Sequence, residues 1–121
     1  MNIKIIDGIF KVSKVSSLNN INLNEEFIFV SKTDKEISIV HNNNYDIENV
    51  LVTEKNWKLF RIDANLDFSL IGIISKIANI LKENDIPIFV ISTFDTDYFL
   101  VKEIYFKKTI ELLKENNYNV R

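Results

Sequence analysis

The sequence predicts an α+β fold, an antiparallel sheet with helices packed on one face. Three observations predict it. Runs of alternating apolar and polar residues recur along the chain, and two stretches carry apolar residues at helical spacing. From Trp57 onward these elements follow one another as β-α-β-β-α, with "YNV" available for a closing edge strand.

The first strand is "FKVSKV", Phe10 to Val15, which alternates strictly. The polar "SSLNNINLN" after it has room for one helical turn at most. "FIFVS" (27–31) and "EISIV" (36–40), separated by Lys32-Thr33-Asp34-Lys35, form a hairpin signature. "HNNNYD" reads as a loop, because Asn and Asp bond their own backbone and tolerate left-handed conformations. His41, at a strand end before the Asn run, reads as a surface residue. "WKLFRID" (57–63) is the next strand.

Leu70, Ile73, Ile74, Ile77, Ala78 and Leu81 then fall on one face of a helix spanning 69–83, with Asp67 or Ser69 as its N-cap. Pro87 ends that element. Ile88–Thr93 and Tyr98–Val101 are strands, and a second helix runs from about Ile104 to Asn116, with Phe106, Ile110 and Leu113 on one face. This order is the ferredoxin-like split unit, βαββαβ, in which the right-handed crossover through the first helix sets its two flanking strands parallel.

Composition narrows the function classes. The chain of 121 residues is 46% hydrophobic and 26% charged, with formal net charge −2 and an isoelectric point near 5.4. No basic cluster exceeds a Lys pair, which argues against nucleic acid and anionic membranes as partners. The absence of cysteine excludes disulfides, thiol chemistry and Cys-based metal sites. No apolar stretch reaches membrane-spanning length, and the N-terminus lacks the pattern of a signal peptide, so a cytoplasmic location is expected.

The chain also aligns on itself. Val30–Val40 lies on Ile91–Val101 without gaps at an offset of 61, matching Ser31 with Ser92, Asp34 with Asp95, Glu36 with Asp97 and Val40 with Val101. The linking segment is 11 residues (16–26) in the first copy and 23 (64–86) in the second. An internal duplication is expected, with residues 1–54 a degenerate copy that has lost most of a helix and 55–121 the complete one.

The segment "WKLFRIDANLDFSLIGIISKIANILKENDIPIFVISTFDTDYFLVKE", and within it "LDFSLIG…ISTFDTDY", resembles the ACT domains. It is most similar to tandem ACT-like repeats such as the regulatory region of aspartate kinase and the CASTOR-type arginine sensors. The match is strong over 57–103 and weak at "TDKEISIVH". The resemblance implies a non-catalytic module that binds an amino acid or similar effector and regulates an enzyme, here in trans because no catalytic domain is attached. It also implies a homodimer, whose ligand sites would lie at the seam. No cofactor is implied.

A site for a free amino acid needs N–H groups for its carboxylate and side-chain oxygens for its ammonium. The helix start, with Asp67, Phe68, Ser69 and the N–H groups of Leu70, Ile71 and Gly72, is suited to the first. Thr93, Phe94, Asp95 and Asp97 in the turn between the last two long strands are suited to the second, with Phe94 as an apolar wall. In arginine-sensing relatives the acidic position matching Asp97 engages the ligand's cationic side chain. Plainer roles compete: Asp67 as N-cap, Asp95 and Asp97 as solvated turn residues, Gly72 as a helix contact point, Phe94 as core, Trp57 as packing.

Three other functions compete with this one. An interaction module that keeps the fold without the ligand suits the degenerate first copy. A metal-diphosphate enzyme built on Asp95-x-Asp97 lacks a phosphate-cradling loop, and the single histidine has no nucleophile beside it. An RNA binder of the same strand order lacks both the aromatic signature and the charge.

Overall fold

The structure, a computed structural model, describes residues 1–63 and 72–121. Its elements in chain order are β1 (Asn2–Val15), β2 (Phe29–Lys32), β3 (Ile37–Asn42), β4 (Val50–Ile62), α1 (Ile73–Lys82), β5 (Phe89–Ser92), β6 (Asp97–Lys102), a 3₁₀ turn (Glu103–Tyr105), α2 (Phe106–Glu115) and β7 (Asn119–Val120). The chain divides into two compact units. One comprises Met1–Asp7 with Lys58–Arg121, the other Gly8–Trp57, so β1 and β4 each contribute to both.

In the unit of Met1–Asp7 and Lys58–Arg121 the strand order is β7-β1-β4-β6-β5. Both helices lie on the same core. Ile77 and Leu81 of α1 and Leu112 and Leu113 of α2 pack with Ile3, Phe60, Ile62, Phe99 and Val101 from three strands. Phe60 and Phe99 stack across the sheet, 5.3 Å between centroids and 11° from parallel. The α+β, ferredoxin-like arrangement expected from element order is therefore present. β7 takes the edge position expected of "YNV" by pairing parallel with β1, Asn2 opposite Asn119 and Ile3 opposite Val120. The first residues of β1 thus stand between β4 and the closing strand. That early part of β1 was not expected, since alternation begins only at Phe10. It is ordered by the Asp63 N–H donating to the Asn2 carbonyl at 2.8 Å and by full burial of Ile3.

The unit of Gly8–Trp57 carries strands in the order β2-β3-β1-β4. β1 and β3 pair antiparallel from Phe10 opposite Asn42 to Val15 opposite Ile37, and the Ser16 N–H donates to the Asn49 carbonyl. In the segment 16–26 short polar side chains bond the local backbone. Ser17 Oγ and Asn22 Oδ1 accept from N–H groups two residues on, as expected of residues that compete with helical bonding. Gly8 has φ +106°, and a Cβ there would lie 2.8 Å from Asn42 Nδ2. Gly8→Ala is expected to lower stability by about 1–3 kcal/mol, measured as the shift in urea midpoint. A change within experimental error would mean that the backbone at residue 8 relaxes freely.

His41 is not a surface residue. It is 2% exposed. Its Nδ1 faces the Tyr45 carbonyl at 3.0 Å and the Asn42 carbonyl at 3.2 Å, so Nδ1 carries the proton of the neutral ring. Nε2 then accepts from Ser13 Oγ at 2.9 Å, and Ser13 Oγ accepts from Thr53 Oγ1 at 3.0 Å. The Tyr45 ring meets the imidazole edge-on. Burial pushes the His41 pKa below its ordinary 6.5, against the opposing pull of the two carbonyls.

The two hairpins repeat one register, one residue away from the offset read in the sequence. Lys32 pairs with Ile37 and Ser92 with Asp97, which sets an offset of 60 rather than 61. Thr33 and Thr93 are then equivalent. Each N–H donates across its turn, Thr33 to the Glu36 carbonyl and Thr93 to the Thr96 carbonyl. Each hydroxyl oxygen accepts from the N–H three residues on. β3 and β6 share one burial pattern along their six residues. The offset of 61 follows residue identity, whereas the turn's hydrogen bonds set the register of each hairpin.

Candidate functional site

The proposed site has two parts in sequence, and the structure describes them unequally. Asp67, Phe68, Ser69, Leu70 and Ile71 lie outside the described residues, as do both expected N-caps of the first helix. Gly72, Thr93, Phe94, Asp95 and Asp97 lie within them.

The β5–β6 turn is built by threonines. Thr93 Oγ1 donates to the Thr96 carbonyl at 3.0 Å, beside the backbone bond between the same residues at 2.8 Å. Thr96 Oγ1 donates to the Ile62 carbonyl at 2.6 Å, fastening the turn to the end of β4. Thr96 stands between two aspartates, and its role in fastening the turn is set by this long-range bond rather than by any local pattern. The Thr-x-x-Thr spacing was the available signal for a turn closed by hydroxyls.

With the turn pinned, the side chains between the threonines project outward. Phe94 is 94% exposed, so of its two expected roles, core or wall, it is not core. Asp95 is exposed and Asp97 half-buried as the first residue of β6. Neither carboxylate forms a hydrogen bond or ion pair among the described residues, which leaves both able to accept from a cation. Beside them Arg61 contacts the Tyr98 hydroxyl at 3.3 Å and Asp63 at 3.7 Å, so its guanidinium is occupied locally.

Gly72 stands at the start of the first helix. The helix begins at Ile73, and Gly72 precedes it with φ +84°, a conformation that costs other residues about 1–2 kcal/mol. Among the described residues a Cβ at Gly72 would meet nothing within 4 Å, so the positive φ is by itself a reason for glycine here. The first helical bond runs from the Lys76 N–H to the Gly72 carbonyl, so the N–H groups of Ile73, Ile74 and Ser75 have no partner inside the helix. They are the donors that the start of α1 leaves open within the described residues; Leu70 and Ile71, expected to supply such groups, lie outside them. Among the described residues no hydrogen bond joins Gly72 to the 93–97 turn.

A model of the family described as ACT domain matches residues 52–115, more than half of the chain. The chain belongs to the ACT-domain family. The match opens in β4 and closes at the end of α2, so it takes in both parts of the site. A solved structure of a protein from Agobacterium tumefaciens is similar to this ACT-domain protein, with 28% identity, TM-score 0.87, and coverage of 99% of this chain and 91% of that one. A protein from Vibrio cholerae, described as a possible transport protein, has 17% identity and TM-score 0.72 over 94% of this chain and 88% of that one. The ligand-free regulatory subunit of aspartate kinase from Thermus thermophilus has 6% identity and TM-score 0.66 over 93% and 95%. The last two are likenesses of fold. No curated protein sequence matches the chain. Among the described residues no helix is long and apolar enough to cross a membrane.

Proposed function

We propose that this ACT-domain protein is a non-catalytic regulatory module that binds a small effector of the amino-acid class. In this reading the site is made by the β5–β6 turn together with residues 67–72. One observation carries the reading: Asp95 within the turn pinned by Thr93 and Thr96, and Asp97 just after it, hold carboxylates with no partner among the described residues, next to an exposed Phe94. An ammonium or guanidinium group would find acceptors there, and a ligand's apolar stem a ring face. Residues 67–71 and the first N–H groups of α1 would hold the carboxylate. Two acidic residues favour a basic amino acid such as arginine or lysine.

The matched hairpin geometry at offset 60 supports reading residues 1–54 as a degenerate copy of 55–121. In this reading the module acts as a cytoplasmic homodimer on an enzyme in trans, through linkage: the effector binds one arrangement better and raises its population.

The test is a thermal-shift screen against the twenty amino acids, repeated on Asp97→Ala. Ligand at 100 times Kd adds about 2.7 kcal/mol, a rise of several degrees for a chain of this size. A shift from one amino acid that disappears in the variant supports the reading. No shift from any of them turns attention to the second reading, an interaction module without a ligand. The solvent-facing ring of Phe94 favours that alternative.

A further inference from the structure

A second concave surface lies away from the turn, between one face of α1 and the chain reversal after α2. It encloses about 630 Å³, within the usual range for small-molecule sites. One wall is a single stripe of α1, where Lys76, Asn79, Ile80 and Glu83 follow at helical spacing. The other is the turn of Asn117 and Tyr118. That turn is firmly built, with Asn117 at φ +69° and the Tyr118 N–H bonded back to the Leu113 carbonyl at 3.0 Å, a helix ending of the left-handed type.

The charges on the stripe decide what fits. Lys76 and Glu83 stand seven residues apart, two helical turns or about 10.5 Å along the axis, too far to pair as residues three or four apart do. Neither has an ion-pair partner among the described residues, and the side chains of Asn79 and Asn117 form no hydrogen bond there. Between the two charges Ile80 presents an apolar surface, itself packed on the core. The groove therefore offers a cation at one end, an anion at the other, an apolar floor between them and unused amides along its sides.

We infer that this groove binds a linear zwitterion, a molecule with a carboxylate at one end and an ammonium or guanidinium at the other, joined by an apolar stem. The carboxylate lies on Lys76, the cation on Glu83 and the stem on Ile80. The site is independent of the one at the 93–97 turn.

The probe is 6-aminohexanoate, which has the two ends and the stem but no α-amino acid head. The turn site could also accept such a molecule, so it is the position of the amides that respond, not binding itself, that separates the two proposals. The full-length protein is titrated and followed by amide chemical shifts, with hexanoate and hexylamine as single-charge controls. The expected result is saturable movement of amides within 76–83 and 117–118, stronger than with either control. Lys76→Met and Glu83→Gln should each weaken binding by up to about fivefold, the scale of one exposed ion pair. Both positions are exposed on α1, so both variants should fold. Movement confined to residues 93–97, binding equal to that of a control, or binding unchanged in both variants would overturn the inference. So would concentration-dependent shifts of the same amides without probe, which would assign the groove to self-association.

Discussion

Replacing Phe99 by alanine is expected to cost about 3–5 kcal/mol of folding stability, the largest effect of any single substitution considered for this protein. Phe99 is fully buried in the core shared by both helices, and its ring lies on that of Phe60. Truncation removes the transfer energy of the ring, the stacking contact and the packing of Phe60, and leaves a cavity between sheet and helices. Native domains hold about 5–15 kcal/mol in all, so about a fifth or more of the total is at stake. The melting temperature should fall by more than about 10 °C. Phe99→Leu, which keeps most of the volume, should lose less than half as much. Urea denaturation of both variants measures the difference, and a loss below about 1 kcal/mol for the alanine variant would show that Phe99 is not in the core.

Mild acid is expected to destabilise the protein through His41. The folded state holds this imidazole neutral, with its pKa below the ordinary 6.5 because burial disfavours the charged ring. The unfolded chain therefore takes up the proton first. The stability that depends on the neutral ring is fully present above pH 6.5 and declines as pH falls through that value, until the folded state also protonates. The slope from this one group cannot exceed about 1.4 kcal/mol per pH unit. His41→Gln should remove that dependence and should itself cost about 1–3 kcal/mol, because buried hydrogen bonds to Ser13 and the Tyr45 carbonyl are lost or misaligned. Denaturation midpoints of wild type and variant, followed across the acid range, measure both effects. Parallel curves would mean that His41 does not titrate differently on folding.

Most strands and both helices were legible because local pattern and burial agree. "FKVSKV" alternates, and Ile77 and Leu81 recur on the face of α1 that is buried. The hairpins were legible from their turn residues. Boundaries were less so. β4 begins at Val50, well before Trp57, because its first residues are held by pairing rather than marked by apolar alternation. Ile104, placed in the second helix by its apolar character, sits 84% exposed in a 3₁₀ turn.

For the site, residue types were legible and roles were not. Phe94 could be core or wall from sequence, since exposure at a turn depends on how the turn is anchored. That anchor is the bond from Thr96 to the Ile62 carbonyl, 34 residues away. Gly72 was marked by its rarity, while its positive φ is a property of the folded backbone.

By itself, then, the sequence determined the α+β class, the order of elements, the two amphipathic helices and the family, all of which rest on local periodicity and short motifs. The tertiary structure alone decided the parallel pairing of β1 with β7, the passage of two continuous strands through both units, the offset of 60 between the hairpins and the burial of His41. Each of these depends on contacts between residues distant in the chain, where hydrogen-bond register and burial are settled by partners that no local pattern names.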